Sequence, residues 1–272
     1  MESLVKIRGN KVNIEEYYVQ QFLKTKNIVL HVAAPKSGST WFDEIIRNLH
    51  KFKMTYLIRD GGRREQEIQY HIFLEKIKDV QDGIYFCHQH VRASQYTIDF
   101  IELYDIKVIL QIRNIFDTVL SIRDHFLNEG FIAPMGYADN SFLKLSQDKQ
   151  LDMIIDLWIP WYFNFYTTWF EYIKNTNNKN IFIIEYEKMK SNVHSEVDTI
   201  LQNLSVNYTQ DELDNAINKT SSDKKKTRKN KAIIGRGESL SEQQRDRIYK
   251  FAGYYLDIDF SLIGIEENDK II

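Results

Sequence analysis

Four short apolar runs, rich in β-branched residues, punctuate the chain at positions 28–34 (IVLHVAA), 83–87 (GIYFC), 106–112 (IKVILQI) and 180–184 (NIFII). Continuous rather than alternating apolar character predicts strands buried on both faces. Between them the spacing changes to that of helices. Trp41, Phe42, Ile45, Ile46 and Leu49 recur at helical intervals, and residues 116–126 read as a second helix. Ile68, Ile72 and Ile77 suggest another, and a short helix is expected over residues 14–23. Residues 158–172 (WIPWYFNFYTTWFEY) set Trp158, Trp161, Tyr162, Phe165, Trp169 and Tyr172 along one helical face. Core packing is the first explanation for such a stripe, with part of it available to wall a pocket beside residues 128–145. Strands alternating with helices predict an α/β fold of three layers, a mostly parallel sheet between helices, with ligands bound at the strands' C-terminal ends.

With 272 residues, 43% of them hydrophobic, the chain can bury a large core, and 3 Pro and 11 Gly offer few natural breaks. One domain over residues 1–272 is expected, with 1–26 as a polar lead-in and 219–237 as a basic, lid-like loop. A net charge of −2 gives no global drive onto nucleic acid or a membrane, so neither is an expected partner and any anion site must be local. A single cysteine, Cys87, rules out an intramolecular disulfide and suits a reducing compartment. The N-terminal residues lack the apolar run of a signal peptide, and no stretch approaches the ~20 apolar residues of a membrane span. A cytoplasmic protein is expected. Nothing in the sequence names an oligomeric state.

The first strand runs into Pro35-Lys36-Ser37-Gly38, and then Ser39 or Thr40 is placed to cap a helix. Strand, tight turn and helix N-terminus make an anion cradle: amide N–H groups converge, the helix dipole adds partial positive charge, and Lys36 adds a full one. A Walker loop would carry two glycines and a later lysine, so this is a different phosphate site. A second set follows the third strand, where Arg113 is a planar two-pronged donor and Ser121, two helical turns on, a neutral one. Cys87-His88-Gln89-His90 stands at the end of another strand. A zinc reading of its two histidines lacks further ligands, since His31, His71 and His125 are scattered.

The run Pro35-Lys36-Ser37-Gly38-Ser39-Thr40-Trp41 closely resembles the 5′-phosphosulfate loop of sulfotransferases that use 3′-phosphoadenosine 5′-phosphosulfate (PAPS). Residues 113–121 resemble the same family's 3′-phosphate motif, with Ile115 where Pro is common. The resemblance implies a P-loop-like fold, PAPS as donor, its product PAP, and no metal. It places residues 35–41 on the phosphosulfate, Arg113 and Ser121 on the 3′-phosphate, and Tyr186 near the adenine. Thr220 and Ser221 match a nucleotide-lining pair, although Ser222 replaces the stacking Phe. Residues 219–231 hold seven basic side chains and one acid; within them Arg228 and Lys229 match a loop that closes over the nucleotide. His90 falls on the family's general base, and His88 on its lysine, a departure that preserves the role only if the imidazole donates N–H. The implied reaction is sulfuryl transfer to a hydroxyl or amine of a small-molecule acceptor, with Lys36 stabilising the phosphosulfate. Natural-product tailoring is the expected setting, and a saxitoxin-type alkaloid one guess at the acceptor that no motif supports. The alternatives are a P-loop-type kinase or phosphotransferase, which would need Mg²⁺ ligands and a Walker lysine, and a non-catalytic nucleotide- or RNA-binding protein using the basic run.

Overall fold

A computed structural model describes residues 4–7, 10–13, 27–56, 68, 83–131, 135–222 and 233–271. Strands β1 (Leu4–Ile7) and β2 (Asn10–Asn13) pair antiparallel with each other. The main sheet is all parallel and joins β3 (Asn27–Ala33), β4 (Phe52–Thr55), β5 (Ile84–Gln89), β6 (Lys107–Ile112) and β7 (Ile181–Glu185) in the order β4-β5-β3-β6-β7. The expected helices over 14–23 and through Ile72 and Ile77 lie outside the described residues.

Both faces of the sheet are covered, as the unbroken apolar runs require. One face carries Leu30, Val32, Cys87, Val108 and Leu110. It packs against α2 (Gln95–Leu103), α3 (Ile115–Asn128), α4 (Gln147–Leu157), α5 (Ile159–Asn175) and α9 (Glu242–Gly253). The other carries Val29, Phe86 and Ile109 under α1 (Ser39–Asn48), α6 (Tyr186–Ser191), α7 (Val193–Asn203) and α8 (Gln210–Ser222). The chain leaves β3 for the far strand β4, returns to β5 at β3's side, then crosses to β6 on the other. The C-terminal end of β3 is therefore the switch point where a doubly wound sheet opens a crevice. The ends of β5 and β6 flank it.

Several expectations are corrected. Neither Ser39 nor Thr40 caps α1; Gly38 does, at φ 88°, and Ser39 is the first helical residue. The strand expected to stop at Cys87 runs on to Gln89, so His88 is a buried strand residue. The 158–172 stripe begins at a break: Trp158 closes α4, and Pro160, which has no N–H to satisfy, sits in the first turn of α5. Strand β4 has no signal in the sequence because only its two end residues are buried. Residues 219–222 of the expected basic loop are the last turn of α8, and residues 223–232 lie outside the described residues.

Candidate active site

At the end of β3 the chain is held from behind. Five consecutive carbonyls each accept a hydrogen bond from a side chain. His90 Nδ1 donates to Ala33 (2.6 Å), Ser37 Oγ to Ala34 (2.7 Å), and Tyr162 Oη to Pro35 (2.8 Å). Arg113 Nη1 donates to Lys36 (2.8 Å) and Gln111 Nε2 to Ser37 (2.8 Å). Burial pushes the Tyr162 phenol well above its ordinary pKa of 10.0, so it stays a donor. With these carbonyls committed inward, what the turn offers a ligand is its amides, the α1 N-terminus and Lys36, all favourable to an anion.

The backbone supports this shape at a price in strain. Lys36 adopts φ 68°, a left-handed conformation that costs a non-glycine residue on the order of 1 kcal/mol or more. Gly38 is left-handed too, and a Cβ there would stand 2.5 Å from the Tyr186 ring. Tyr186 itself is buried, edge-on to Trp41, with the Arg113 guanidinium 4.2 Å above its ring. Arg113 is thus wedged between loop and ring, 5% exposed, and its Nε is buried without a hydrogen-bond partner among the described residues. Ser121 follows on α3, 7% exposed.

Three polar side chains interrupt the apolar face beneath α1. His31 and His88 are directly paired in the β3–β5 register. Asp43 descends from α1 between them, its Oδ1 2.8 Å from His31 Nδ1 and its Oδ2 2.6 Å from His88 Nδ1. Gln111 Oε1 accepts from His31 Nε2 at 2.9 Å. Burial alone would raise the Asp43 carboxyl; the His88 charge and hydrogen bonds from both imidazoles hold it well below the usual carboxylate range. Ligand atoms of His31, Asp43 and His88 lie within 4.8 Å of one another, which raises a metal site as a reading. The N···O spacings are those of hydrogen bonds. Two ligands about 2.0–2.1 Å from a tetrahedral zinc ion stand about 3.4 Å apart, so protons fit these gaps better than a metal.

His90, half-buried, packs edge-on to His88 with ring centroids 4.9 Å apart. Because a carbonyl only accepts, its Nδ1 carries a hydrogen, which leaves Nε2 as the nitrogen that can accept a proton. Lys36 Nζ stands 3.8 Å from Glu129 at the end of α3, and His125 lies 3.3 Å from the same carboxylate.

Residues 26–253 match the sequence profile of the sulfotransferase domain. The chain belongs to that family. No curated protein matches it in sequence. Solved sulfotransferases share its fold. The mouse sulfotransferase SULT7A1 complexed with PAP aligns over 91% of this chain and 93% of its own, at 16% identity and a TM-score of 0.59. Retinol dehydratase in complex with androsterone and PAP aligns over 95% and 91%, at 13% and 0.57. Sulfotransferase STF9 from Mycobacterium avium aligns over 89% and 81%, at 10% and 0.53.

Of the residues that the sulfotransferase motifs single out, Lys36, Gly38, His88, His90, Arg113 and Tyr186 are linked through these contacts around the turn. Others are used differently. The Ser37 hydroxyl is spent on Ala34, and Trp41 packs into the core under α1. Thr220 Oγ1 donates to Ala216 (2.7 Å) and accepts from Asn48 (2.9 Å). Asn48 ends α1, opposite the turn, so Thr220 is helix packing and Ser221 is exposed beside it. Arg228 and Lys229 lie outside the described residues. Their downstream anchor does not: the amides of Gly235 (2.9 Å) and Gly237 (2.7 Å) donate to Asp117, and Arg236 pairs with Asp124 at 2.7 Å. The aromatic stripe is core. Trp158, Tyr162, Phe165 and Trp169 are fully buried, and only Trp161, stacked on Phe165, is partly open. Sequence reasoning missed Asp43, Gln111 and Tyr162. Polar residues inside otherwise apolar runs, His31 and Gln111 among them, were the available signal.

Proposed function

We propose that the protein transfers the sulfuryl group of PAPS to a hydroxyl or amine of a small-molecule acceptor. The observation that carries this reading is the tied-back turn with Lys36 on it and His90 bonded to the carbonyl at its root. The fit to an anionic donor rests on this chain's own atoms: the amides that open α1, a lysine, and a buried Arg113 Nε with no hydrogen-bond partner among the described residues. That the mouse and retinol dehydratase structures hold PAP on this fold supports the assignment.

Within residues 35–41, Lys36 and the amides of Gly38, Ser39 and Thr40 that open α1 bind the phosphosulfate, and Lys36 stabilises charge on the oxygen that bridges to the leaving phosphate. Arg113 and Ser121 hold the 3′-phosphate, and Arg228 and Lys229 close over it from the segment anchored at Asp117. Tyr186 sets the turn's shape from below. His90 Nε2 takes the acceptor's proton as the new bond to sulfur forms and the old S–O bond breaks, releasing PAP. The one cysteine is buried, and no helix among the described residues is long and apolar enough to cross a membrane, which fits work in the cytoplasm.

Thermal unfolding measured side by side with PAP, ATP·Mg²⁺ and a short RNA tests the reading. PAP alone should raise the midpoint. Stabilisation by ATP·Mg²⁺ without PAP would favour phosphoryl transfer, and by RNA alone a binding module.

A further inference from the structure

We propose that Asp43 is a positioning residue for sulfuryl transfer, holding His88 through Nδ1 as an imidazolium beside the neutral base His90. The inference rests on the proposed reaction and adds to it a division of labour between two adjacent histidines.

Their Nδ1 partners differ in kind. His90 bonds to the Ala33 carbonyl, a dipole; His88 bonds to a carboxylate that is completely buried. In a dry site a carboxylate favours the charged ring far more than a carbonyl does, so the two imidazoles are pushed toward opposite protonation states. That separates roles: a ring without charge accepts a proton, and a charged ring steadies anionic oxygens. His88 thereby supplies the cation that the resemblance assigns to lysine at its position.

The wiring behind Asp43 keeps the carboxylate ionised and in place. Gln111 Nε2 donates to Ser37 O, which fixes the amide so that Oε1 faces His31 Nε2 at 2.9 Å, and His31 Nδ1 meets Asp43 Oδ1 at 2.8 Å. One hydrogen-bonded chain then runs Ser37–Gln111–His31–Asp43–His88, tying the phosphate turn to the cation across β6, β3, α1 and β5. An apolar residue would fill position 43 without the penalty of burying a charge, so packing alone does not account for Asp43. The ionisable groups placed against His88 among the described residues are Asp43 from α1, His31 from β3 (ring centroids 4.6 Å) and His90 beyond β5.

Two measurements decide it. In the ligand-free wild type, ring ¹⁵N shifts of labelled histidine at about pH 7.5 should show His88 protonated on both nitrogens and His90 neutral. A neutral His88, or stoichiometric metal in the purified protein, would overturn the proposal. PAP binding is then followed by calorimetry from about pH 6 to about pH 9. Wild-type affinity should fall as pH rises and His88 loses its proton. Asp43→Asn should move that fall to lower pH and weaken binding about tenfold at about pH 8, with a smaller loss at about pH 6. His88→Lys should flatten the profile and make it indifferent to Asp43→Asn. An Asp43→Asn loss equal at every pH, or undiminished in the His88→Lys background, would mark Asp43 as merely structural. Should PAP not bind the wild type at all, the donor assignment of the previous section falls, and the histidine shifts, which need neither PAP nor a variant, still decide this one.

Discussion

Lys36 combines two properties that work against each other locally: a left-handed backbone and, in the proposed reaction, a charge that faces the donor. Its carbonyl bond from Arg113 holds the conformation, so the side chain can be removed without losing the turn. Lys36→Ala should therefore leave the unfolding midpoint nearly unchanged while weakening PAP binding by about 1.5–3 kcal/mol, read by calorimetry. Gly38 is the opposite case. Gly38→Ala meets both φ 88° and the Tyr186 ring, so it should destabilise the fold by about 1–3 kcal/mol in denaturant titration and weaken PAP binding as well. His90→Ala removes the proposed base and leaves the proposed donor site. Turnover in a PAP-release assay should fall about 10²–10⁴-fold with PAP affinity close to wild type; full turnover would place the base elsewhere.

At the scale of elements, the site depends on which segment reaches the turn from behind. α5 does so through one hydroxyl, Tyr162 Oη on Pro35 O. Tyr162→Phe keeps the packing and deletes the bond, and should cost about 1 kcal/mol or more of stability, because the orphaned carbonyl sits at the site. PAP affinity should drop in the same variant if the turn's shape is set from α5. α3 serves two clients: its N-terminus follows Arg113, and Asp117 and Asp124 fasten residues 235–237. Gly237 is pressed so close to Phe116 that a Cβ would stand 2.3 Å away, which explains a glycine there. The strand-and-turn elements were legible in the sequence because burial on both faces leaves an unbroken apolar run. Lys36, Gly38 and Arg113 were legible because motif spacing reflects local geometry. The position of Thr220 beside Asn48 was not legible for the complementary reason: a short Thr-Ser pair says nothing about which end of α1 it will meet.

Across the whole molecule, the buried His31–Asp43–His88 group couples stability to pH. Asp43 is held ionised below the usual carboxylate range, so its contribution is present above about pH 4, the unfolded value. It is lost as pH falls further toward the depressed folded value. The gap in unfolding midpoint between wild type and Asp43→Asn should accordingly narrow as pH drops below about 4, and a gap constant down to the acid limit would contradict the buried ion pairing.

By itself the sequence determined the layer order and the strand, turn and helix start around Lys36, and it nominated Lys36 and Arg113 for the two ends of the proposed donor site. Apolar period and motif spacing are properties of neighbouring residues, and a single chain carries them in full. Only the tertiary structure decided that Asp43 lies between two histidines, that Tyr162 and Gln111 brace the turn, and that the aromatic stripe is core. Those contacts join residues far apart in the chain, and their energies come from register, burial and the direction of each hydrogen bond, none of which exists until the sheet has closed and α1 has come down on it.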